Sequence, residues 1–422
     1  MMFENAYRQR LDADLARWQA DGVIAPSVGD AIRAALPPAP KSINIPTVIG
    51  ILGGLLIAAA FLAFVAANWT EIARPARFAI LLVGIAGAYS LGAWFDRSQR
   101  PYLADISATV GCIVFGASIA LVGQMYHLAE DFAAGMMLWS AGSLIAALLT
   151  GSRGALAVAL AAGCIWSGMR ITEMAGTPHL PFVVFWLVAA WLAVLWNSAV
   201  ARHLVGVAAL GWIATVYLGY VDRTSLNPLL PVSACATLLL GAGLMLANLA
   251  SGALRALGLT LSTYASFALA LMLAPVGVHE FMTLKLAAPG WALLCGLAGT
   301  GLAFATAAIV RRAGPAFAGL ALTCALIVAS GWAGEISLPQ PWTTYVFALA
   351  SMLCLVISGM LDEVRPRLVA GWLGLGLMIA GITWAVRGSL LRRAAFLAVS
   401  GIGAVVIATV LGRLLPSKEV AR

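Results

Sequence analysis

Pro46-Thr47-Val48-Ile49-Gly50-Ile51-Leu52-Gly53-Gly54-Leu55-Leu56-Ile57-Ala58-Ala59-Ala60-Phe61-Leu62-Ala63-Phe64-Val65-Ala66-Ala67-Asn68 is a run of 23 residues without a charged side chain. As a helix it is about 35 Å long, enough to cross a hydrocarbon core of roughly 30 Å. The chain beyond it has the same character. It has 422 residues, 62% of them hydrophobic and only 10% charged. A soluble domain has about 45–50% apolar and about 25% charged residues, so this much apolar surface needs lipid as its solvent. The 43 glycines fit a helical membrane bundle, where small residues allow close helix approach.

Downstream of Pro46 the sequence alternates apolar runs with short polar breaks. Fourteen spans are predicted: 46–68, 77–95, 104–124, 132–150, 154–170, 180–197, 203–221, 229–250, 256–277, 289–310, 316–332, 342–361, 367–387 and 394–414. The break at Thr150–Arg153 is short enough to make the fourth and fifth spans a tight helical hairpin. No segment alternates as a barrel strand does, and the two halves show no internal repeat. The expected fold is an all-α, polytopic transmembrane helical bundle of about fourteen spans over 46–415, with a short tail at 416–422.

Residues 1–45 differ. They carry five basic and five acidic side chains, and Phe3, Tyr7, Leu11, Leu15 and Trp18 recur at helical spacing. Asp21-Gly22 ends this helix, and Ser27 with Asp30 resembles a capping box opening a second one. An amphipathic helical hairpin is expected, followed by the linker Pro37-Pro38-Ala39-Pro40. It lacks the apolar core of a signal peptide.

With the N-terminus cytoplasmic, seventeen of the 25 Lys and Arg residues fall on the cytoplasmic side and eight outside. Arg387, Arg392 and Arg393 lie on the outer side and run against this bias. The net charge of +8 is therefore a product of topology. There is no basic run interleaved with aromatics, so no nucleic-acid partner is expected. Cys112, Cys164, Cys235, Cys295, Cys324 and Cys354 each fall in a different apolar segment without a CxxC pair, as small buried residues do.

No Asp, Glu, Lys, Arg or His falls near the middle of a span, which argues against transport through a mid-membrane carboxylate. A neutral or lipidic substrate stays open, as does an ion site of carbonyls and hydroxyls. Trp69 and Trp139, like Trp94, Trp196, Trp332 and Trp342, read as interfacial anchors. Gly50-xxx-Gly54 and the Gly299, Ala303, Ala307 spacing read as close-packing faces.

The stretch richest in chemistry is Gln124-Met125-Tyr126-His127-Leu128-Ala129-Glu130-Asp131-Phe132, on the outer side between two spans. His127 can act as base or ligand with Glu130 and Asp131 as carboxylate partners, and helical spacing would put His127 and Asp131 on one face. One His and two acids fall short of a zinc set, so no metal is expected. Glu71, Glu173, His179, Asp222, His279, Glu280 and Glu335 occupy other outer loops. No HExxH, GxSxG, Walker A or dinucleotide fingerprint is present, and no cofactor is expected. Asn68, at the end of the first span beside Trp69, can bond a substrate or a helix end.

Three stretches together resemble a bacterial family of unassigned activity, the domain-of-unknown-function 2157 family. They are Leu15-Ala16-Arg17-Trp18-Gln19-Ala20-Asp21-Gly22-Val23-Ile24, then Phe64-Val65-Ala66-Ala67-Asn68-Trp69, then Gln124-Met125-Tyr126-His127 with Asp131-Phe132 and Trp139 behind it. The resemblance covers roughly residues 10–170. It implies a bacterial inner-membrane protein and no particular reaction.

Three functions are compatible with these features. The leading one is a transporter or flippase-like carrier of a neutral or lipid-linked small molecule, with Asn68, Gln124, Tyr126, His127 and Asp131 as the substrate-binding polar groups. The second is an outer-leaflet enzyme using His127, Glu130 and Asp131. The third is a sensor or scaffold that binds a protein partner through residues 1–36. Both termini are expected in the cytoplasm.

Overall fold

The computed structural model describes residues 2–35, 52–53, 56, 60, 72–126, 131–173, 179–223, 229–273, 290–309, 342–361 and 363–385. Among them are thirteen continuous helices and no strand. These are α1 (Met2–Ala20), α2 (Pro26–Ala35), α3 (Arg74–Arg97), α4 (Pro101–Tyr126), α5 (Phe132–Thr150), α6 (Arg153–Glu173), α7 (Leu180–Leu195), α8 (Ala199–Arg223), α9 (Leu229–Leu249), α10 (Gly252–Leu273), α11 (Gly290–Ile309), α12 (Trp342–Leu361) and α13 (Arg365–Ala385).

Eight of the described helices, α3–α6 and α8–α11, are long and apolar enough to cross a membrane. That is fewer than the fourteen expected spans. The runs 316–332 and 394–414 lie outside the described residues, and of 46–68 only residues 52, 53, 56 and 60 are described, all helical. Helix α7, expected over 180–197, has 16 residues and so reaches only about 24 Å against a core of roughly 30 Å. Its surface is nonetheless that of a lipid-facing helix. Leu180, Val184, Leu187, Trp191 and Leu195 form an exposed stripe, while Phe182, Ala189, Ala190, Leu192 and Ala193 are buried on the other side. An exposed stripe this apolar has no stable place in water.

The packing falls into two units, residues 1–114 and 115–422, with the division inside α4. In the first, α1 ends in a Schellman turn: Gly22 is left-handed at φ +70, Val23 N–H donates to Trp18 O at 2.9 Å and Gly22 N–H to Gln19 O at 3.3 Å. Helix α2 starts at Pro26, with Val28 and Gly29 N–H donating to Ala25 O. Ser27 therefore lies inside α2 and does not cap it, because a proline suits the first helical position. Of the α1 stripe, Leu15 is fully buried and Trp18 is 37% exposed. Helices α3 and α4 meet where Tyr89 lies over Gly111 and its hydroxyl approaches Cys112 Sγ at 3.4 Å.

In the second unit, α9 is the hub, packed most extensively on α10 and α11. A methyl group added at Gly243 would lie 2.7 Å from Ser262 N, and one at Gly299 2.5 Å from Leu238 N, so backbone meets backbone at both crossings. Ala303 continues the Gly299 face at 1% exposure. Helices α12 and α13 pack the same way, with a methyl on Gly359 falling 2.7 Å from Leu368 N. Arg367 is buried in the first turn of α13 and donates from Nη1 to Ser358 Oγ at 3.0 Å. The described cysteines form no disulfide with one another.

These contacts set a paired test within one helix. Gly299→Ala should lower stability by about 1–3 kcal/mol through overpacking. Gly301→Ala, with nothing within 4 Å of the added carbon, should leave it unchanged or slightly raised. Thermal unfolding in detergent, monitored by the folded peak on size exclusion, separates the two. Equal losses would refute the assigned α9–α11 crossing.

Candidate functional site

The site grows out of the α5–α6 hairpin. Helix α5 stops at Gly151, whose φ of +66 suits glycine and whose N–H donates to Ala147 O. Thr150 Oγ1 donates back to Ala146 O at 2.7 Å, and Ser152 Oγ accepts from Ala155 N–H at 3.0 Å to cap α6. The connection is as tight as its four residues require. Two antiparallel helices of equal rise pivoting on Gly151 bring Asp131 level with about residue 171. The groups that start α5 and finish α6 must therefore meet.

They meet as an ion cluster. Arg170 Nη2 donates to both carboxylate oxygens of Asp131, at 2.9 and 3.2 Å, and Nη1 donates to Glu173 Oε2 at 2.7 Å. Asp131 is also the N-cap of α5, accepting the Ala134 N–H at 2.9 Å. The cap bond, and after it the Arg170 bond, holds the Asp131 carboxyl below its usual range. A depressed carboxylate stabilises the fold above its ordinary pKa and loses that contribution only as pH falls through the lowered value. The Asp131 carboxylate therefore stays ionised at neutral and mildly acidic pH.

Beside it stands His179, the residue before α7. Its ring is enclosed, at 6% exposure, and sits edge-on to Trp166 of α6 with centroids 4.5 Å apart at 89°. Its Nδ1 is buried without a hydrogen-bond partner among the described residues. Burial, and then the Arg170 charge, lower its pKa from the ordinary value. Aromatic contacts fix the start of α7 further. Phe182 stacks on Trp212 of α8 at 6.0 Å and 13°, Trp212 Nε1 donates to Ser167 Oγ, and Trp186 Nε1 donates to Val205 O.

Of the polar residues that the sequence suggested as one site, Gln124, Tyr126 and Asp131 are among the described residues. Gln124 and Tyr126 occupy the last turn of α4 and are exposed, while Met125 between them is buried. Asp131 stands at the cluster's centre, outside the helical φ/ψ region at −91 and 80. Its carboxylate serves as the N-cap of α5, and the expected pairing with His127 lies outside the described residues. Asn68, Trp69, His127 and Glu130 lie outside the described residues. Trp139 sits well inside α5, its indole over Gly116 of α4. No group of three or more His, Cys, Asp or Glu suited to a metal occurs among the described residues.

Residues 16–156 match the family described as predicted membrane protein, DUF2157. The resemblance carried by the sequence motifs thus holds over this part of the chain. The DUF2157 match contains Asp131 and the hairpin turn and ends at the start of α6, so it excludes Arg170, Glu173 and His179. No curated protein and no solved structure matches the chain.

Arg170 escaped sequence reasoning because it was only one of eight outward-side cations. Folding the chain at Gly151 would have paired it with Asp131. A double-mutant cycle checks the pair. Asp131→Asn keeps a capping oxygen and removes the charge, and Arg170→Gln removes the cation. The two destabilisations should be less than additive in the double variant, and the coupling should shrink as NaCl is raised toward 1 M. Additive effects at low salt would mean the ion pair does not hold the helix ends.

Proposed function

We propose that this protein is a multi-pass carrier of neutral or lipid-linked molecules, with the Asp131–Arg170–Glu173 cluster latching the helix ends on the outer side. The observation that carries this reading is where charge sits. Every Asp, Glu, Lys, Arg and His of α3–α13 lies within five residues of a helix end. Apart from His179 and Arg367, both near helix ends, every buried polar side chain among the described residues is Ser or Thr. Such an interior offers hydroxyls to a neutral polar group and no counter-ion to a charged one. Asn68, Gln124, Tyr126, His127 and Asp131 remain the proposed contacts on the outer side, with both termini and residues 1–36 in the cytoplasm of a bacterial inner membrane.

The same geometry disfavours an outer-leaflet enzyme built on Asp131. Its carboxylate accepts three hydrogen bonds and is held ionised, so it makes a poor general acid and a weak base.

Purified protein in vesicles doped with NBD-labelled phosphatidylcholine tests the lipid arm. Dithionite should quench well beyond the roughly half of the label that faces outward, and Arg170→Gln should change that rate severalfold by loosening the latch. Uptake of a neutral radiolabelled sugar by the same vesicles tests the solute arm. Behaviour matching protein-free vesicles in both assays would remove the carrier reading.

A further inference from the structure

The latch has a titratable neighbour that the carrier reading does not use. We propose that His179 makes the tie at this end responsive to pH: a proton taken up by its ring releases the start of α7 from α6 and slackens the Asp131–Arg170–Glu173 cluster. The inference names the regulation of the site proposed above and rests on that reading only for the word latch; the release is a structural event whether or not anything is carried.

The geometry gives the mechanism. A neutral imidazole has one donor and one acceptor, whereas the protonated ring has two donors and a charge. In the docked position Nδ1 is buried with no hydrogen-bond partner among the described residues, so the proton would create an enclosed N–H⁺ with no acceptor among them. Trp166 meets the ring at 89°, and its indole N–H is a donor only, so it supplies no lone pair to the new N–H⁺. Water outside does, and the uncompensated charge drives the ring toward it.

The surrounding charges point the same way. From α6 the ring faces Arg170, the charged group whose field reaches it, with Glu173 bound on that guanidinium. From α5 comes Asp131, bound to the same guanidinium. Both carboxylates are thus engaged by Arg170, whose charge opposes a proton on His179. Helix α8 meets the start of α7 through Trp212 beneath Phe182 and the Val205 carbonyl beneath Trp186, none of which titrates near neutral pH. Because the ring packs on Trp166 of α6, the helix that carries Arg170 and Glu173, its release loosens the helix end on which the cluster stands.

Burial and the Arg170 cation set the direction, since both lower the ring's pKa in the docked state. Docking is then fully stable above the ordinary histidine value, and that stability is lost as pH falls through the lowered one. Asp131, held ionised, does not titrate in that window.

Hydrogen exchange on the full chain in lipid nanodiscs tests this, with rates corrected for the intrinsic pH dependence of amide exchange. Between about pH 7.5 and about pH 5.5, opening of the segment 172–182 should increase by up to about tenfold, the limit for one proton with an ordinary pKa near 6.5. Peptides from α9 should stay constant. His179→Gln should abolish the pH dependence. Arg170→Gln, which removes the neighbouring cation, should move the midpoint toward the ordinary value and keeps the test decisive if His179→Gln does not fold. Flat exchange in the wild type, or equal pH dependence in His179→Gln, would overturn the proposal. None of these outcomes depends on lipid or sugar transfer, so the carrier reading can fail while this one stands, or the reverse.

Discussion

Lipid offers a polar group no hydrogen-bond partner, and the arrangement of this protein is a consequence of that constraint. Each backbone amide must be satisfied within its own helix, so the described secondary structure is helical throughout. A polar side chain returns its hydrogen bond to its own helix, as several Ser and Thr do, finds a partner on a neighbouring helix, as Trp212 and Trp186 do, or reaches an end. Thr306, Ser266 and Thr260 donate to carbonyls four residues earlier. The charged groups of α3–α13 all lie near an end. With no hydrophobic force between helices in lipid, packing has to come from close contact, and the α9–α10 and α9–α11 crossings place glycine against backbone.

The same constraint concentrates polar chemistry at the helix ends, and the α5–α6 hairpin decides which groups meet there. Four residues around Gly151 set the register, and the register brings Asp131 to Arg170 across 39 positions of sequence. Asp131 then serves twice, as the cap that satisfies an orphan amide of α5 and as the anion that holds the end of α6. His179, with Phe182 close behind it, docks the short α7 onto this corner, so three helices share one polar junction.

Much of this was legible in the sequence. The run 132–150 predicts α5 to the residue, and the short break after it predicts the hairpin. Hydropathy reads the spans well because the lipid requirement acts on each segment by itself. It overstates α7, where tertiary packing supports a helix shorter than the membrane core. At the site, composition pointed to Asp131 and to His179 as outer-side polar residues but not to their relation. The ion cluster is a consequence of pairing between helices, and a linear reading that files Arg170 as a loop cation cannot see its partner. Capping at Asp131 was equally hidden, because helical spacing points from this residue back to His127, whereas its carboxylate turns forward to the orphan amides that begin α5.

The proposed latch requires α5 to cross the membrane with the Asp131 end outside and the Gly151 turn inside. Single cysteines at Asp131 and Arg153, measured against the background of the native cysteines, test it in intact cells with a membrane-impermeant maleimide. The expected result is labelling of Asp131→Cys without permeabilisation and of Arg153→Cys only after it. Labelling of both from the same side, or the reverse order, would contradict the topology and the placement of the cluster that depends on it.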